Sequence, residues 1–130
     1  MKEHVVKEHW KDEPDEHDYP AAFDFLTLIA PEEAASGLVD QLKQAKLVHR
    51  KAKDILRASG LKLLPEDNAH VAKDLDKIKD GTALSPVLLV RGHGHPGFET
   101  HADLVVADGY HRVCASYHLD ENADIPCKLV

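Results

Sequence analysis

The residues best suited to chemistry lie in the run Ala107-Asp108-Gly109-Tyr110-His111-Arg112, where a β-branched apolar stretch gives way to a helix-forming one. A helix N-terminus presents N–H groups without intrahelical acceptors and the positive end of the peptide dipole, so an anion is favoured there. Gly109 lets the backbone approach a phosphate closely, and Arg112 carries a planar fork that matches phosphate oxygens. Asp108 repels a bare phosphate; it suits a helix cap, or a group that bridges a metal or accepts a proton. A turn glycine beside a capping aspartate is the purely structural alternative.

A second cationic set follows Asn68. His70, Lys73 and Lys77 recur at i, i+3 and i+7, which puts them on one helical face, away from the stripe Val71, Leu75, Ile78. Spacing alone describes a solvated lysine face, and the intervening Asp74 and Asp76 favour that; an anion site requires the two cationic elements to meet. Ten histidines invite a metal, and His93, His95 and His101 share one loop with Asp103 close by. Gly92, Gly94, Pro96 and Gly97 leave those rings unfixed, so no metal site is expected. His4, His9 and His17 fall in an acidic arm and His49 beside Arg50, all expected in solvent. His118 is expected to end the helix after Gly109, where a cation suits the dipole. Cys114 is expected as a small buried apolar residue.

These groups need elements to hold them. The chain has 130 residues with 43% apolar and 30% charged side chains, the composition of one globular unit with a single core. No stretch approaches the roughly 20 apolar residues of a membrane span. The first ten residues lack a signal-type apolar segment and only Cys114 and Cys127 are present, so a cytoplasmic chain with free thiols is expected. The net charge of −7 argues against a general nucleic-acid coat. Charge is segregated: residues 1–20 hold seven acids against three bases, residues 43–79 ten bases against five acids.

Residues 1–20 read as an extended acidic arm with Trp10 and Tyr19 as anchors. Pro31, Glu32 and Glu33 open a helix whose buried face is Ala35, Leu38, Val39 and Leu42. Val48, Ala52, Ile55 and Leu56 predict a second helix over 48–60, stopped by Gly60. LKLLP at 61–65 reads as a strand, Asp67 or Asn68 as the cap of a helix ending at Gly81, and PVLLVRG as a strand buried on both faces. After the loop HGHPGFETHA come a strand DLVVADG, a helix YHRVCASYHLD and a strand DIPCKLV. From residue 61 the order is β, α, β, β, α, β, a mixed α+β arrangement behind a helical N-terminal half.

From about Leu64 to Val130 the chain resembles the ParB/sulfiredoxin superfamily, through "LSPVLLVRG", "VVADGYHRVCAS" and the closing "IPCKLV". The most specific part is DGYHRxxA, Asp108 to Ala115, similar to the glycine-plus-basic signature with which members grip nucleotide phosphates. The resemblance implies a mixed sheet with flanking helices, an acidic arm (1–20), a helical extension (21–60) and a ParB/sulfiredoxin-like domain (61–130) packed as one unit. It implies a phosphate site made by Gly109, Tyr110, His111 and Arg112 with His70, Lys73 and Lys77 from the preceding helix. Sulfiredoxins carry a catalytic cysteine where this chain has Tyr110, which speaks against sulfinic-acid reduction. The Gly-Glu-Arg-Arg signature and helix-turn-helix of the DNA-partitioning members are missing, so sequence-specific DNA binding is disfavoured. The free-serine kinases of the superfamily carry Asp-Gly-His-His-Arg, the nearest variant, and their aspartate implies a base role for Asp108. Glu66 and Glu99 are the candidates for the second acid those kinases use; the first 60 residues have no counterpart.

Under that resemblance the expected cofactor is a nucleoside di- or triphosphate (ATP, ADP or CTP) with Mg²⁺, and the expected partner a small hydroxylated substrate that receives or loses a phosphoryl group. The alternatives are a non-catalytic, nucleotide-responsive module whose arm or helical pair engages a protein partner, and an inherited fold without a ligand.

Overall fold

The structure, a computed structural model, describes residues 7–130. Its elements are α1 (Asp18–Leu26), α2 (Glu32–Gln44), β1 (Leu47–Lys51), α3 (Ala52–Ser59), α4 (Ala69–Lys79), β2 (Val87–Arg91), β3 (Leu104–Asp108), α5 (Tyr110–Leu119) and β4 (Asp124–Leu129). The fold is α+β, with one mixed sheet in the order β1-β4-β2-β3. β1 and β4 run antiparallel, β4 and β2 parallel, β2 and β3 antiparallel.

The apolar run of β2 explains the layers. Val87 and Leu89 face a cluster with Ile55, Leu56, Val71 and Val113, while Leu88 and Val90 face a cluster with Leu26, Leu38, Leu42 and Phe98. A strand alternates its side chains, so four consecutive buried residues demand cover on both faces. α3, α4 and α5 cover one face, α1 and α2 the other. The expected single core is therefore two clusters divided by the sheet. None of the helices among the described residues is long and apolar enough to cross a membrane.

Three sequence expectations are corrected. Residues 48–60 are not one helix: Leu47–Lys51 pair along β4, from Leu47 opposite Lys128 to Lys51 opposite Asp124, and helix begins only at Ala52. Val48 fits both periodicities, and the open edge of β4 decides between them. Residues 61–65 form no strand; the carbonyls of Lys62 and Leu64 instead accept hydrogen bonds from Tyr110 Oη and His118 Nε2. The acidic arm is extended only in part. Trp10 bridges Leu84 through Lys11 N–H to Leu84 O and Leu84 N–H to His9 O, both 2.8 Å, but from Asp18 the chain is helical. With β1 in the sheet and α1 and α2 on its second face, residues 21–60 are integral to the domain. His4 and the rest of the first six residues of the arm lie outside the described residues.

Candidate functional site

The Asn68 side chain accepts from the His70 and Val71 N–H groups at 3.0 and 3.2 Å, which fixes where α4 starts. That register turns Val71 and Ile78 into the core and leaves His70, Lys73 and Lys77 outside. Gly109 immediately precedes α5, and its φ of 109° is open only to glycine at little cost. A Cβ there would also stand 2.8 Å from Val87 Cβ and 3.0 Å from an Arg112 Nη. Gly109 is thus required by the close passage of α5 over β2. Asp108 is no cap, since no side chain caps this helix.

The two helices meet at a cavity of about 230 Å³. His70, Lys73 and Lys77 line it from α4, and Gly109, His111 and Arg112 from α5, with Asp108 at the end of β3. Tyr110 is not among the lining residues; its hydroxyl donates to Lys62 O on the other side of α5. The His70 and His111 rings lie 4.7 Å apart, tilted by 42°. Burial, then the neighbouring His70, pushes the His111 imidazole below its ordinary range, and Asp74 pulls the other way.

Arg112 is held, not free. Its Nη2 donates to Asp108 Oδ2 at 2.9 Å, reaches Pro86 O at 3.4 Å and stands 4.0 Å from Asp18 Oδ2. Its Nε is buried with no partner among the described residues, and an orphaned donor of that kind costs about 1–3 kcal/mol. Burial raises the Asp108 carboxyl above its usual range; Arg112 offsets part of this and Asp18 adds to it.

Two acids expected in solvent are drawn into the fold. Asp74 lies on the His70/Lys73/Lys77 face and lines the cavity, with no hydrogen-bond or ion-pair partner among the described residues. Burial raises its carboxyl, against the pull of Arg112 first. Its i+4 spacing from His70 was the available signal, where Asp76, two residues on, is exposed. Asp18, expected in a solvated arm, is 2% exposed and accepts from Asp15 N–H at 3.0 Å. The Asp15-x-x-Asp18 spacing is that of an acid reaching back to cap a helix start.

The other candidates sit elsewhere. Glu66 approaches His118 Nδ1 at 3.7 Å and Glu99 accepts from His93 Nδ1 at 2.8 Å, so neither reaches Asp108. His118 lies in the last turn of α5, as expected; it is half-buried, and its Nε2 donates to Leu64 O at 2.6 Å. His93, His95 and His101 do not converge. Glu99 and Asp103 hold the two His93 ring nitrogens at 2.8 and 3.3 Å, whereas His95 packs edge-on to Phe98. Asp15, His17 and Asp18 bring their ligand atoms within 4.8 Å of one another, but Lys11 already engages Asp15 at 2.7 Å. Cys114 is fully buried, as expected of a packing residue.

The chain is thus an α+β protein whose mixed sheet carries a polar basin at the β3–α5 junction. Comparison with family models, curated proteins and solved structures finds no match for it.

Proposed function

We propose that this protein is a ParB/sulfiredoxin-like nucleotide-phosphate-binding protein that transfers a phosphoryl group between a nucleotide and a small hydroxylated substrate, or to water. The observation that carries this reading is the convergence of Lys73, Lys77, His70 and His111, from two helices, on one cavity beside the Gly109 turn. Its 230 Å³ is below the ~300–1,000 Å³ of a site that engulfs a whole organic ligand, so it suits phosphate groups, with the base lying outside. The helix N-terminus and the lysines supply the charge for them.

Mg²⁺ fits the donor set, because it takes carboxylate and phosphate oxygens and Asp74 is an uncommitted carboxylate in the basin. Asp74 would hold the ion, which supplies charge neutralisation for the phosphates. Asp108 takes the proton of the attacking hydroxyl; that oxygen bonds to the terminal phosphorus as the bond to the nucleotide's bridging oxygen breaks. Its raised basicity suits the task, and Arg112 holds its second oxygen in place.

A second reading, binding without chemistry, has one observation in its favour: Asp108 already carries the Arg112 bond, and neither Glu66 nor Glu99 assists it. ATP and CTP, each with Mg²⁺, are expected to raise the melting temperature of wild type and Asp108→Asn alike, with nucleoside diphosphate formed by wild type only. Equal product from both proteins removes Asp108 from the chemistry, stabilisation without product from either supports the second reading, and no shift with either nucleotide overturns both.

A further inference from the structure

A cavity of about 400 Å³ opens on the face of the sheet that α3 covers and reaches to where β2 ends and β3 begins. Strand parity builds it. Arg50 follows Val48, and Arg91 follows Val87 and Leu89, onto the face that α3 and α5 cover. There Ile55, Leu89, Leu104 and Leu129 line the cavity with apolar carbons, and Arg50 and Arg91 stand at its margin.

The charges at this margin are unevenly satisfied. Asp54 is bonded to Arg57 at 3.3 Å, and Asp103 faces His93 Nε2 at 3.3 Å. Among the described residues neither the Arg50 nor the Arg91 guanidinium has an ion-pair partner within 4.0 Å; Arg50 donates to its neighbour's carbonyl, His49 O, at 2.9 Å, and the Arg91 main-chain N–H donates to Val130 O at 2.8 Å. Two uncompensated guanidiniums beside an apolar lining of ligand-pocket volume are complementary to a molecule with an apolar body and an anionic head. We propose that this cavity is a binding site for a small organic anion of that kind, an aryl or medium-chain aliphatic carboxylate, with the apolar part against Leu89 and Leu129 and the carboxylate drawn to the margin that carries Arg50 and Arg91. The site shares no lining residue with the phosphate basin and stands or falls without it.

The test uses two fluorescent probes of similar shape, anilinonaphthalene sulfonate, an anion, and phenylnaphthylamine, its neutral counterpart. Wild type is expected to bind the anion saturably, one per chain. Arg50→Glu with Arg91→Glu is expected to weaken it at least about tenfold, the size of a lost charge-assisted contact, with less than about a twofold change for the neutral probe. Both arginines are exposed, so the double variant is expected to melt with wild type. Arg50→Gln with Arg91→Gln, which removes charge without reversing it, should fall between the two. Displacement of the anionic probe from wild type by phenylbutyrate, but not by phenylbutanol, supports the carboxylate. Unsaturable binding, or equal loss of both probes in the glutamate variant, overturns the proposal.

Discussion

The two ends of the β2–β3 pair show different ways of handling positive charge. At the Asp108 end, arginine is drawn inside: Arg112 is 16% exposed and sits between Asp108 at 2.9 Å and Asp18 at 4.0 Å, while exposed lysines and a histidine pair face the cavity. Around the apolar cavity that reaches the Arg91 end, Arg91 and Arg50 stay at the surface, and the acids of the lining, Asp54 and Asp103, are engaged by Arg57 and His93. A cation buried with acids is a fixed part of the scaffold, since removing either partner strands the other. A cation beside a cavity that no acid has engaged is available to a ligand. By this measure Arg112 belongs to the scaffold that holds Asp108, whereas Lys73 and Lys77 are the cations of the proposed phosphate site and Arg50 and Arg91 those of the proposed carboxylate site.

The largest effect expected from breaking this arrangement is at Gly109. Gly109→Val combines a left-handed φ with a collision against Val87, and is expected to cost about 3 kcal/mol or more in urea unfolding. A loss under about 1 kcal/mol would mean that α5 does not pass β2 as closely as described. Next comes the charge of the basin. Lys73→Glu with Lys77→Glu is expected to weaken ATP binding at least about tenfold by calorimetry, with unfolding free energy changed by no more than about 0.5 kcal/mol per site and the sulfonate probe at the other end unaffected.

The smallest effect is in the pH dependence of stability. His111 is held below 6.5, mainly by burial, so as pH falls through 6.5 the unfolded chain takes up this proton first. The contribution is present above 6.5 and is lost as pH drops toward the depressed folded value. His111→Asn is expected to flatten the fall in stability across that window in a series of urea melts; an unchanged slope would mean that the imidazole titrates as it does in water.

Much of this was legible in the sequence, for reasons that differ by element. The β2 run declared a strand covered on both sides, Asp67 and Asn68 bracketed the start of α4, and Gly109 marked a strand-to-helix turn, because each is a local demand. β1 was not legible. Val48 satisfies helical and strand spacing alike, and only the antiparallel partner β4, nearly eighty residues away, selects the strand. The convergence of His70, Lys73 and Lys77 with His111 was readable as a condition, but its fulfilment depends on α4 packing on α5. Asp18 was hidden by composition: an acid among acids reads as solvated until its burial beside Arg112 is seen. The Arg50–Arg91 cavity gave no local signal, since strand parity and sheet order together make it.

The central claim, that nucleotide phosphates bind where α4 meets α5, is tested most directly by titrating ¹⁵N-labelled protein with ATP and Mg²⁺ and following the backbone amides. Saturable shifts are expected to centre on Gly109, His111, Lys73 and Lys77, with Arg50, Arg91 and Leu129 unmoved. Shifts centred on Arg50 and Arg91, or none at saturating nucleotide, would contradict it.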